Sequence, residues 1–424
     1  MMRVVSAVVL VSLVAAAAFA QGQSGTRLSK ALVSRPDVSA ALAYIDRNFE
    51  QQVAEWIRIS EIPAPSGHEA RRAAYVAQEL GKLGLQPAID GIGNVVARRA
   101  GTGGGPTLVF AAHLDTVFPL DTRLTVEKRA DGTMHAPGIF DNSASVANML
   151  QAARALTAAG IRTRGDVIFI GTAQEELGLK GMYHWFERNR GVADMLVALD
   201  AGLGPINYGA LGLYWSRMTF TAAGAHANNS RGQPSPARAA AQCITDIYTS
   251  PLPAPDAPVG AVYNVGGLMT AGDVVNAIPS EVTFSVDLRT VDPVLLASLD
   301  KAIVGKCEAA AATHKVSFVR EFIMRSEAGG RPEALADRRR DPLVETSIDV
   351  LRFLGVDLPA GREALPTGST DANVGVLQGI PSIAVGRARG GDPHTLQEWA
   401  DVESAKIGTK QIVLLVAALA EIAD

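Results

Sequence analysis

The stretch LVFAAHLDTVFP, residues 108–119, decides the fold of this chain. It opens with an uninterrupted apolar run, Leu108 to Ala112, and then turns polar at His113 and Asp115. Such a run is typical of a strand buried on both faces, as in a parallel sheet covered by helices. Helical spacing over Ser143 to Ala159 follows it, so we predict an α/β fold built on a mostly parallel sheet. Comparable apolar runs lie at Val167 to Gly171, Met195 to Leu199 and Ser382 to Val385.

A second pattern occupies residues 211–322 and predicts a smaller α+β domain inserted into the larger one, which comprises 35–210 and 323–424. Its β-α-β-β-α-β-like order would bury a sheet of its own. Residues 325–341 are glycine- and arginine-rich and are predicted to be a solvated return linker. The predicted elements of the inserted domain are Tyr214 to Thr221, Pro236 to Tyr248, Val282 to Leu288, Pro293 to Thr313 and Val316 to Phe322.

The composition fits a chain with more than one hydrophobic core. It has 424 residues, of which 48% are hydrophobic, and single cores rarely exceed about 300 residues. The 39 basic and 43 acidic residues give a net charge of -4 and form no basic stripe, which argues against a nucleic-acid partner. Cys243 and Cys307 either pair or stay buried, and neither lies in a zinc-binding cysteine pattern. A metal would therefore be held by histidines and carboxylates.

The first 20 residues predict a signal peptide. Arg3 precedes the apolar stretch Val4 to Ala17, and small residues at Ala18 and Ala20 form a cleavage signature. The alternative is an uncleaved anchor, but the stretch is shorter than the roughly 20 residues that a bilayer span needs. We therefore expect an exported protein, periplasmic or secreted, without stable membrane insertion after cleavage.

Polar residues gather where the predicted strands end. In an open α/β sheet the carboxyl ends of the strands meet at one edge, so these side chains are expected to converge. Each alone has a simpler explanation, because an aspartate after a strand is often a helix cap and a surface histidine is often solvated. Together they would bury several carboxylates, which requires a cation. The residues are His113, Asp115, Asp141, Glu175, Glu176, Asp200 and His394.

The spacing of these residues fits a pair of metal ions. His113 and Asp115 point to the same side of an extended chain, so the carboxylate can accept the second imidazole N–H. Asp141 begins a predicted helix, Asn142 to Leu156, and could bridge two ions. Glu175 and Glu176 diverge, so one can ligate while the other handles the proton of the attacking water.

These residues provide three protein ligands for each of two ions, as in a catalytic zinc site. Cobalt or manganese would also accept these ligands. The two sets share Asp141 and are His113, Asp200 and Asp141 for one ion, and Glu176, His394 and Asp141 for the other.

Five motifs resemble the M20 family of co-catalytic zinc exopeptidases and amidohydrolases, over nearly the whole mature chain. The resemblance implies Glu175 as general base, Asp115 as the carboxylate that orients a ligand, and His113, Asp141, Glu176, Asp200 and His394 as metal ligands. The motifs are AAHLDTVFP at 111–119, PGIFDNSASVANML at 137–150, GTAQEELGLKG at 171–181, LDAG at 199–202 and DPHTLQEW at 392–399.

The inserted domain resembles the family's lid or dimerisation domain, in the motifs GAHANN at 224–229 and NAIPSEVTFSVDLR at 276–289; GSTDAN at 368–373 also matches. The resemblance implies that His226 stabilises the oxyanion, often in the partner subunit's site. It places Asn276 and Arg289 near the substrate carboxylate, although hydrogen bonding within the lid is an alternative. A small lid sheet would leave an edge to cover, so we expect a homodimer. Asn142 departs from the second acidic residue that many members carry.

The expected activity is hydrolysis of an amide bond in a small peptide, most like the tripeptide-aminopeptidase members. The alternative is a carboxypeptidase or an N-acyl-amino-acid amidohydrolase, which differ in the free terminus of the substrate. A protein of another class, a metal-loaded binding protein without catalysis, would usually lack the base or a ligand. Every one of these residues is present here.

Overall fold

The computed structural model describes residues 25–254, 257 and 259–423. The predicted signal peptide, residues 1–20, lies outside them. The described strands, in chain order, are β1 Ala88–Ile89, β2 Val95–Arg99, β3 Leu108–His113, β4 Glu127–Lys128, β5 Thr133–His135, β6 Val167–Thr172, β7 Met195–Leu199, β8 Ile206–Asn207, β9 Gly212–Thr221, β10 Ala225–His226, β11 Ala261–Thr270, β12 Ala277–Ile278, β13 Glu281–Thr290, β14 Ser317–Ser326, β15 Ala364–Leu365, β16 Ser382–Val385, β17 Gly390–Gly391 and β18 Trp399–Asp401.

The α-helices alternate with these strands and cover the larger sheet. They are α1 Lys30–Val33, α2 Pro36–Arg47, α3 Phe49–Ser60, α4 Ala70–Gly81, α5 Ser145–Ala158, α6 Lys180–Arg188, α7 Pro236–Ile247, α8 Pro293–His314, α9 Pro332–Arg339, α10 Pro342–Phe353, α11 Ala372–Leu377 and α12 Ala405–Leu419. None of the described helices is long and apolar enough to cross a lipid bilayer.

The larger sheet has the strand order β1-β2-β6-β3-β7-β16-β8-β15. Its four central strands, β6, β3, β7 and β16, run parallel to one another. The strands β1 and β2 add an antiparallel edge. The predicted α/β class with a mostly parallel sheet is therefore confirmed.

Alternate residues of β3 show why this sheet is covered on both faces. Leu108, Phe110 and Ala112 pack into the core that contains α2, α3, α5 and α12. Val109 and Ala111 pack into a second core on the opposite face, which contains α6. A strand buried on both faces has no polar positions until it ends, so His113 becomes the first group that can act at the sheet edge.

The inserted segment forms its own antiparallel sheet, with the order β11-β13-β9-β14. One face is buried, since residues alternate between buried and half-buried along β13. The helices α7 and α8 cover that face, and each begins with proline after a side-chain cap, Ser235 and Asp292. A disulfide joins α7 to α8 through Cys243 and Cys307, which decides between the two alternatives for these cysteines.

The structure changes two details of the sequence interpretation. Residues 325–341 are not a solvated linker throughout, because α9 forms there and Leu335 is buried in the main core. The strand β11 was not predicted. It is an edge strand with exposed residues on both faces, so its sequence lacks the alternation that marks a half-buried strand. The domain limits at 210 and 322 stay a prediction.

Candidate metal centre

His113 ends β3 and is buried. Its Nδ1 lies 3.0 Å from the main-chain oxygen of Asp115 and 3.5 Å from that residue's Oδ1. A carbonyl oxygen only accepts, so Nδ1 donates to it and Nε2 faces Asp141, another predicted ligand. Asp115 thus lies against the ring, with its carbonyl closer than its carboxylate, and its role in orienting His113 stays a prediction. Nε2 lies 3.1 Å from Oδ1 of Asp141.

The Asp115 carboxylate holds the loop that carries the two glutamates. Its Oδ1 accepts from the main-chain N–H of Glu175 at 3.0 Å, and its Oδ2 accepts from that of Glu176 at 3.1 Å. Gln174, just before them, has a φ of 54° and donates its N–H to Glu69. A residue other than glycine keeps this left-handed backbone conformation only where its surroundings hold it. Here the carboxylates of Glu69 and Asp115 hold the main chain at Gln174 and directly after it.

Asp141 lies in the turn Ile139–Ala144, and the regular helix α5 begins only at Ser145. The prediction that Asp141 begins a helix at Asn142 is therefore wrong by one turn. The reason is Glu398, which is fully buried and accepts hydrogen bonds from the main-chain N–H groups of Gly138, Phe140 and Asp141. These N–H groups are satisfied by a side chain from 257 residues away, so the turn does not need helical geometry.

His394 and Glu176 complete the cluster on the other side of Asp141. The Nε2 of His394 lies 3.0 Å from Oε1 of Glu176 and 3.3 Å from Oδ2 of Asp141. His394 has a φ of 64° and is half exposed. Because Oδ1 of Asp141 faces His113 and Oδ2 faces His394, its carboxylate lies between the two histidines.

Asp200 follows β7 and lies beside a buried arginine, Arg387, which is not among the predicted site residues. Nη1 of Arg387 donates to Oδ1 of Asp200 at 2.5 Å, and Nη2 lies 3.1 Å from Oδ1 of Asp141. An isolated arginine after a strand carries no motif signal, so only the fold could reveal this contact.

Among the residues that the structure describes, two groups of side chains could each hold a metal ion, with ligand atoms all within 4.8 Å of one another. The groups are His113, Asp141 and Glu176, and His113, Glu175 and Asp200. Nitrogen and carboxylate oxygen donors suit Zn²⁺, Co²⁺ or Mn²⁺. The residues therefore fit divalent cations. The structure places Glu175 with Asp200, whereas the family resemblance implies for Glu175 the role of base alone.

Burial dominates the electrostatics of Glu175. It raises the pKa of the Glu175 carboxyl well above its usual value. The charge of His113 lowers this pKa, whereas the negative charges of Asp200, Asp371 and Glu176 raise it further. Burial also raises the pKa of Asp371 to about 7. One oxygen of Asp371 accepts from Thr172, and the other has no hydrogen-bond partner within the described part of the chain. A cation nearby would stabilise both carboxylates in their charged forms.

The lid residues lie apart from this cluster in a single chain. His226 is exposed on β10, where its Nδ1 accepts from the N–H of Asn228 and its Nε2 lies 3.5 Å from Nδ2 of Asn276. Arg289 pairs with Asp287 on the same strand, at 2.8 Å. Across the described residues, no hydrogen bond or ion pair joins these three to the predicted ligands. Their roles stay predictions.

A cleft of about 1110 Å³ opens beside the His394 loop. Asp392 and Leu396, which flank His394, line it together with Pro137 and Trp399. Binding clefts for small ligands are commonly about 300 to 1,000 Å³. The cleft therefore has room for a ligand of peptide size.

Predicted ligands such as His113 and Asp200 lie at the ends of strands of a mostly parallel sheet, and a separate antiparallel sheet forms the lid. The sequence profile of peptidase family M20/M25/M40 matches residues 109–418, most of the chain. The chain belongs to this family. As an M20 member it is a hydrolase of the peptidase and amidohydrolase class.

Individual curated relatives match a shorter part of the chain than the family profile does. A succinyl-diaminopimelate desuccinylase of Leptothrix cholodnii is 35% identical over 127 residues, which make up 28% of this chain and 33% of that protein. The matched region thus spans about a third of the length of the curated relatives.

Two solved structures show the M20 fold over nearly the whole length. The aminopeptidase PepT of Bacillus cereus has a TM-score of 0.71 at 22% identity, covering 88% of this chain and 99% of that one. The YxeP protein of Bacillus subtilis, described as a dinuclear metal-binding peptidase of the M20 family, has a TM-score of 0.65 at 18% identity. It covers 89% of this chain and 99% of its own.

Proposed function

We propose that this M20 hydrolase uses two divalent ions, in the first place zinc, to cleave an amide bond in a small peptide as an aminopeptidase-like exopeptidase. One observation carries the proposal. An unbroken series of contacts runs from His113 through the two oxygens of Asp141 to His394 and Glu176, with Glu175 and Asp200 beside it. Most of these acids and histidines are largely shielded from solvent, and such a set is stabilised by cations.

The proposed ligands are His113, Asp200 and Asp141 for one ion, and Glu176, His394 and Asp141 for the other. The position of Asp141 between the two histidines supports its role as the shared ligand. Bound ions of this kind polarise a scissile carbonyl and lower the pKa of a nucleophilic water.

Glu175 would take the proton of the attacking water and deliver it to the leaving amine. The hydrogen bond from its own N–H to Asp115 fixes the main chain from which its side chain extends. Its burial raises the pKa of its carboxyl above the usual value, so the group takes up a proton more readily than an exposed glutamate, which supports the role of base.

His226 would donate to the carbonyl oxygen as negative charge develops there. Its exposed position on β10, without contact to the cluster in its own chain, supports action in a partner subunit's site within a homodimer. Asn276 lies beside it and would bind substrate in the same place. Arg289 would do so only after it leaves Asp287, with which it is paired.

The second candidate function is an N-acyl-amino-acid amidohydrolase. The match to a succinyl-diaminopimelate desuccinylase favours it, because that name describes removal of an acyl group from an amino acid. A carboxypeptidase is the third member of this group of activities. The three differ in which terminus of the substrate is free.

A substrate screen tests the proposal. The purified chain, supplied with zinc, cobalt or manganese, is offered free tripeptides, N-blocked peptides and N-acyl amino acids, with Glu175→Ala as the matched inactive control. Cleavage of free tripeptides alone supports the aminopeptidase, and cleavage of N-acyl amino acids alone supports the second candidate. If none of the three classes is hydrolysed with any metal, the proposal is contradicted.

We also propose that the protein is exported. The N-terminal sequence supports this, and so does the disulfide between Cys243 and Cys307, since disulfides persist in oxidising compartments. Fractionation of producing cells, with N-terminal sequencing of the product, tests the prediction of cleavage after Ala20.

A further inference from the structure

Arg387 is a buried cation among the proposed metal ligands, and the proposed mechanism gives it no task. Only 4% of the residue is exposed. Its guanidinium lies 2.5 Å from Oδ1 of Asp200 and 3.1 Å from Oδ1 of Asp141. Both carboxylates belong to the ligand set proposed for the ion on the His113 side.

The arginine is held in place by its main chain as well as its side chain. Its N–H donates to the oxygen of Ala201, and its own carbonyl accepts from Nδ2 of Asn148. The guanidinium carbon lies 4.1 Å from the ring centre of Phe140, a cation–π distance. A guanidinium fixed in this way cannot withdraw from the site without repacking, so its charge stays beside the ligands.

The positive charge of Arg387 lies nearer to the ion position on the His113 side than to the one on the His394 side. Arg387 contacts Oδ1 of Asp141, the oxygen that faces His113, whereas Oδ2 faces His394. In the part of the chain that the structure describes, the ion-pair partner of Glu176 is His394, with no lysine or arginine beside it.

Asn142 supports the placement of the guanidinium. Its Oδ1 accepts from Nη1 of Arg387 at 3.2 Å, and its Nδ2 donates to the carbonyl of Leu199 at 2.9 Å. A carboxylate at this position could not make the second bond. The asparagine therefore accepts a hydrogen bond from the guanidinium without adding a negative charge. The positive charge of Arg387 is paired with Asp200 and Asp141.

We propose that Arg387 is a permanent positive charge within the metal centre. It lowers the affinity for a metal ion at the position formed by His113, Asp200 and Asp141, so that this position binds its ion more weakly than the other. The inference rests on the proposed two-ion centre. A permanent positive charge within hydrogen-bond distance of two ligands opposes the entry of a divalent cation, and does so strongly in a buried site. The Glu176 and His394 position lacks this opposition and fills first.

Metal binding itself tests the proposal, without reference to turnover. Metal-stripped protein is titrated with Zn²⁺ in a competing chelator, and bound zinc is counted by mass spectrometry. The wild type should bind in two separated steps. Arg387→Met should tighten the weaker step by about tenfold or more, because a like charge has been removed. An ordinary hydrogen-bonding neighbour of a ligand has the opposite effect, since its loss weakens binding by about 10- to 100-fold.

Two variants serve as controls. Arg154→Met removes another buried arginine that pairs with two carboxylates, Glu55 and Glu79, away from the metal centre, and should leave both zinc affinities unchanged. Arg387→Lys keeps the charge and should retain the separated steps. Circular dichroism and melting curves show whether each metal-stripped variant is folded, and the two-step titration of the wild type tests the proposal even if Arg387→Met does not fold.

The outcomes separate this inference from the proposed function. Equal affinities in the wild type, or a weaker step that is unchanged or weakened in Arg387→Met, overturn the role of Arg387 and leave the two-ion centre intact. If the wild type binds no divalent ion, both proposals fail. If the wild type binds one ion and Arg387→Met binds two, the role of Arg387 is supported and the two-ion centre of the wild type is contradicted.

Discussion

The carboxylate of Glu398 accepts a hydrogen bond from the main-chain N–H of Asp141 at 2.7 Å, although 257 residues separate them. The same carboxylate accepts from Gly138 and Phe140. Glu398 also follows His394 by only four positions, so it connects the loop of one proposed ligand to the turn of the shared ligand. Removing it should disturb the metal centre without removing a ligand.

We therefore expect Glu398→Ala to lower zinc affinity by about 10- to 100-fold, the range for residues that orient metal ligands. It should also lower the melting temperature, because each buried N–H left without a partner costs about 1 to 3 kcal/mol. Zinc titration and thermal melting measure the two effects. Glu403→Ala, at an exposed glutamate nearby, is the control. Unchanged zinc affinity in Glu398→Ala would show that the turn holds its shape without this carboxylate.

Glu175→Ala should abolish turnover while bound zinc stays near the wild-type level, because the variant lacks the proposed base and keeps the five proposed ligands. His113→Ala and Glu176→Ala should instead reduce bound zinc. Metal content and kcat measured on the same preparations separate the roles. A Glu175→Ala protein that retains most of its activity, or loses its zinc, would mean that Glu175 is not the base or is itself a ligand.

His226→Ala should reduce kcat by about a hundred- to a thousandfold, or roughly 2.7 to 4 kcal/mol, as for other oxyanion donors. The residue is exposed, and its Nδ1 accepts one hydrogen bond from Asn228. Zinc content and melting temperature should therefore stay close to the wild type. A change of only a few fold in kcat, with a lower melting temperature, would indicate a histidine that merely caps its own turn.

The lid should form a homodimer through the edge of its sheet. The edge strand β11 carries exposed apolar side chains at Val262, Leu268 and Met269, and an uncovered edge of this kind favours pairing with another chain. Sedimentation at micromolar concentration should show a dimer in the wild type. Val262→Lys combined with Met269→Lys should give monomers, whereas Leu120→Lys, at an exposed leucine outside the lid, should not. A wild-type monomer would remove the basis for His226 acting in a partner's site.

Asp371 should make the metal-stripped protein less stable as the pH rises. Burial raises the pKa of its carboxyl from 3.8 to about 7 in the folded chain. Between these values the unfolded chain ionises this residue and the folded chain does not, so stability is lost as the pH rises from about 4 to about 7 and is constant beyond. Urea unfolding of wild type and Asp371→Asn across this range measures the difference. The stability gap between them should change in that window, and a constant gap would contradict a raised pKa. Asp121→Asn, at an exposed aspartate, is the control.

The sequence predicted the central strands closely, because a strand buried on both faces must be apolar along its whole length. The observed β7 and β16 have the predicted limits, and β3 and β6 extend one residue further. The edge strand β11 has no such constraint and was missed. The positions of His113, Asp200 and the two glutamates at strand ends followed from the same rule, since parallel strands place their carboxyl ends at one edge.

By itself, then, the sequence determined the fold class, the convergence of the acidic and histidine side chains, and the family resemblance, all of which depend on local pattern and strand order. Only the tertiary structure decided that Glu398 fixes the turn of Asp141, that Asp115 holds the main chain of both glutamates, and that Arg387 lies against Asp200. These are contacts between residues about 60 to 260 positions apart in the chain. No periodicity encodes them, because each depends on how separate loops pack at the edge of the sheet and on which buried donors lack a partner.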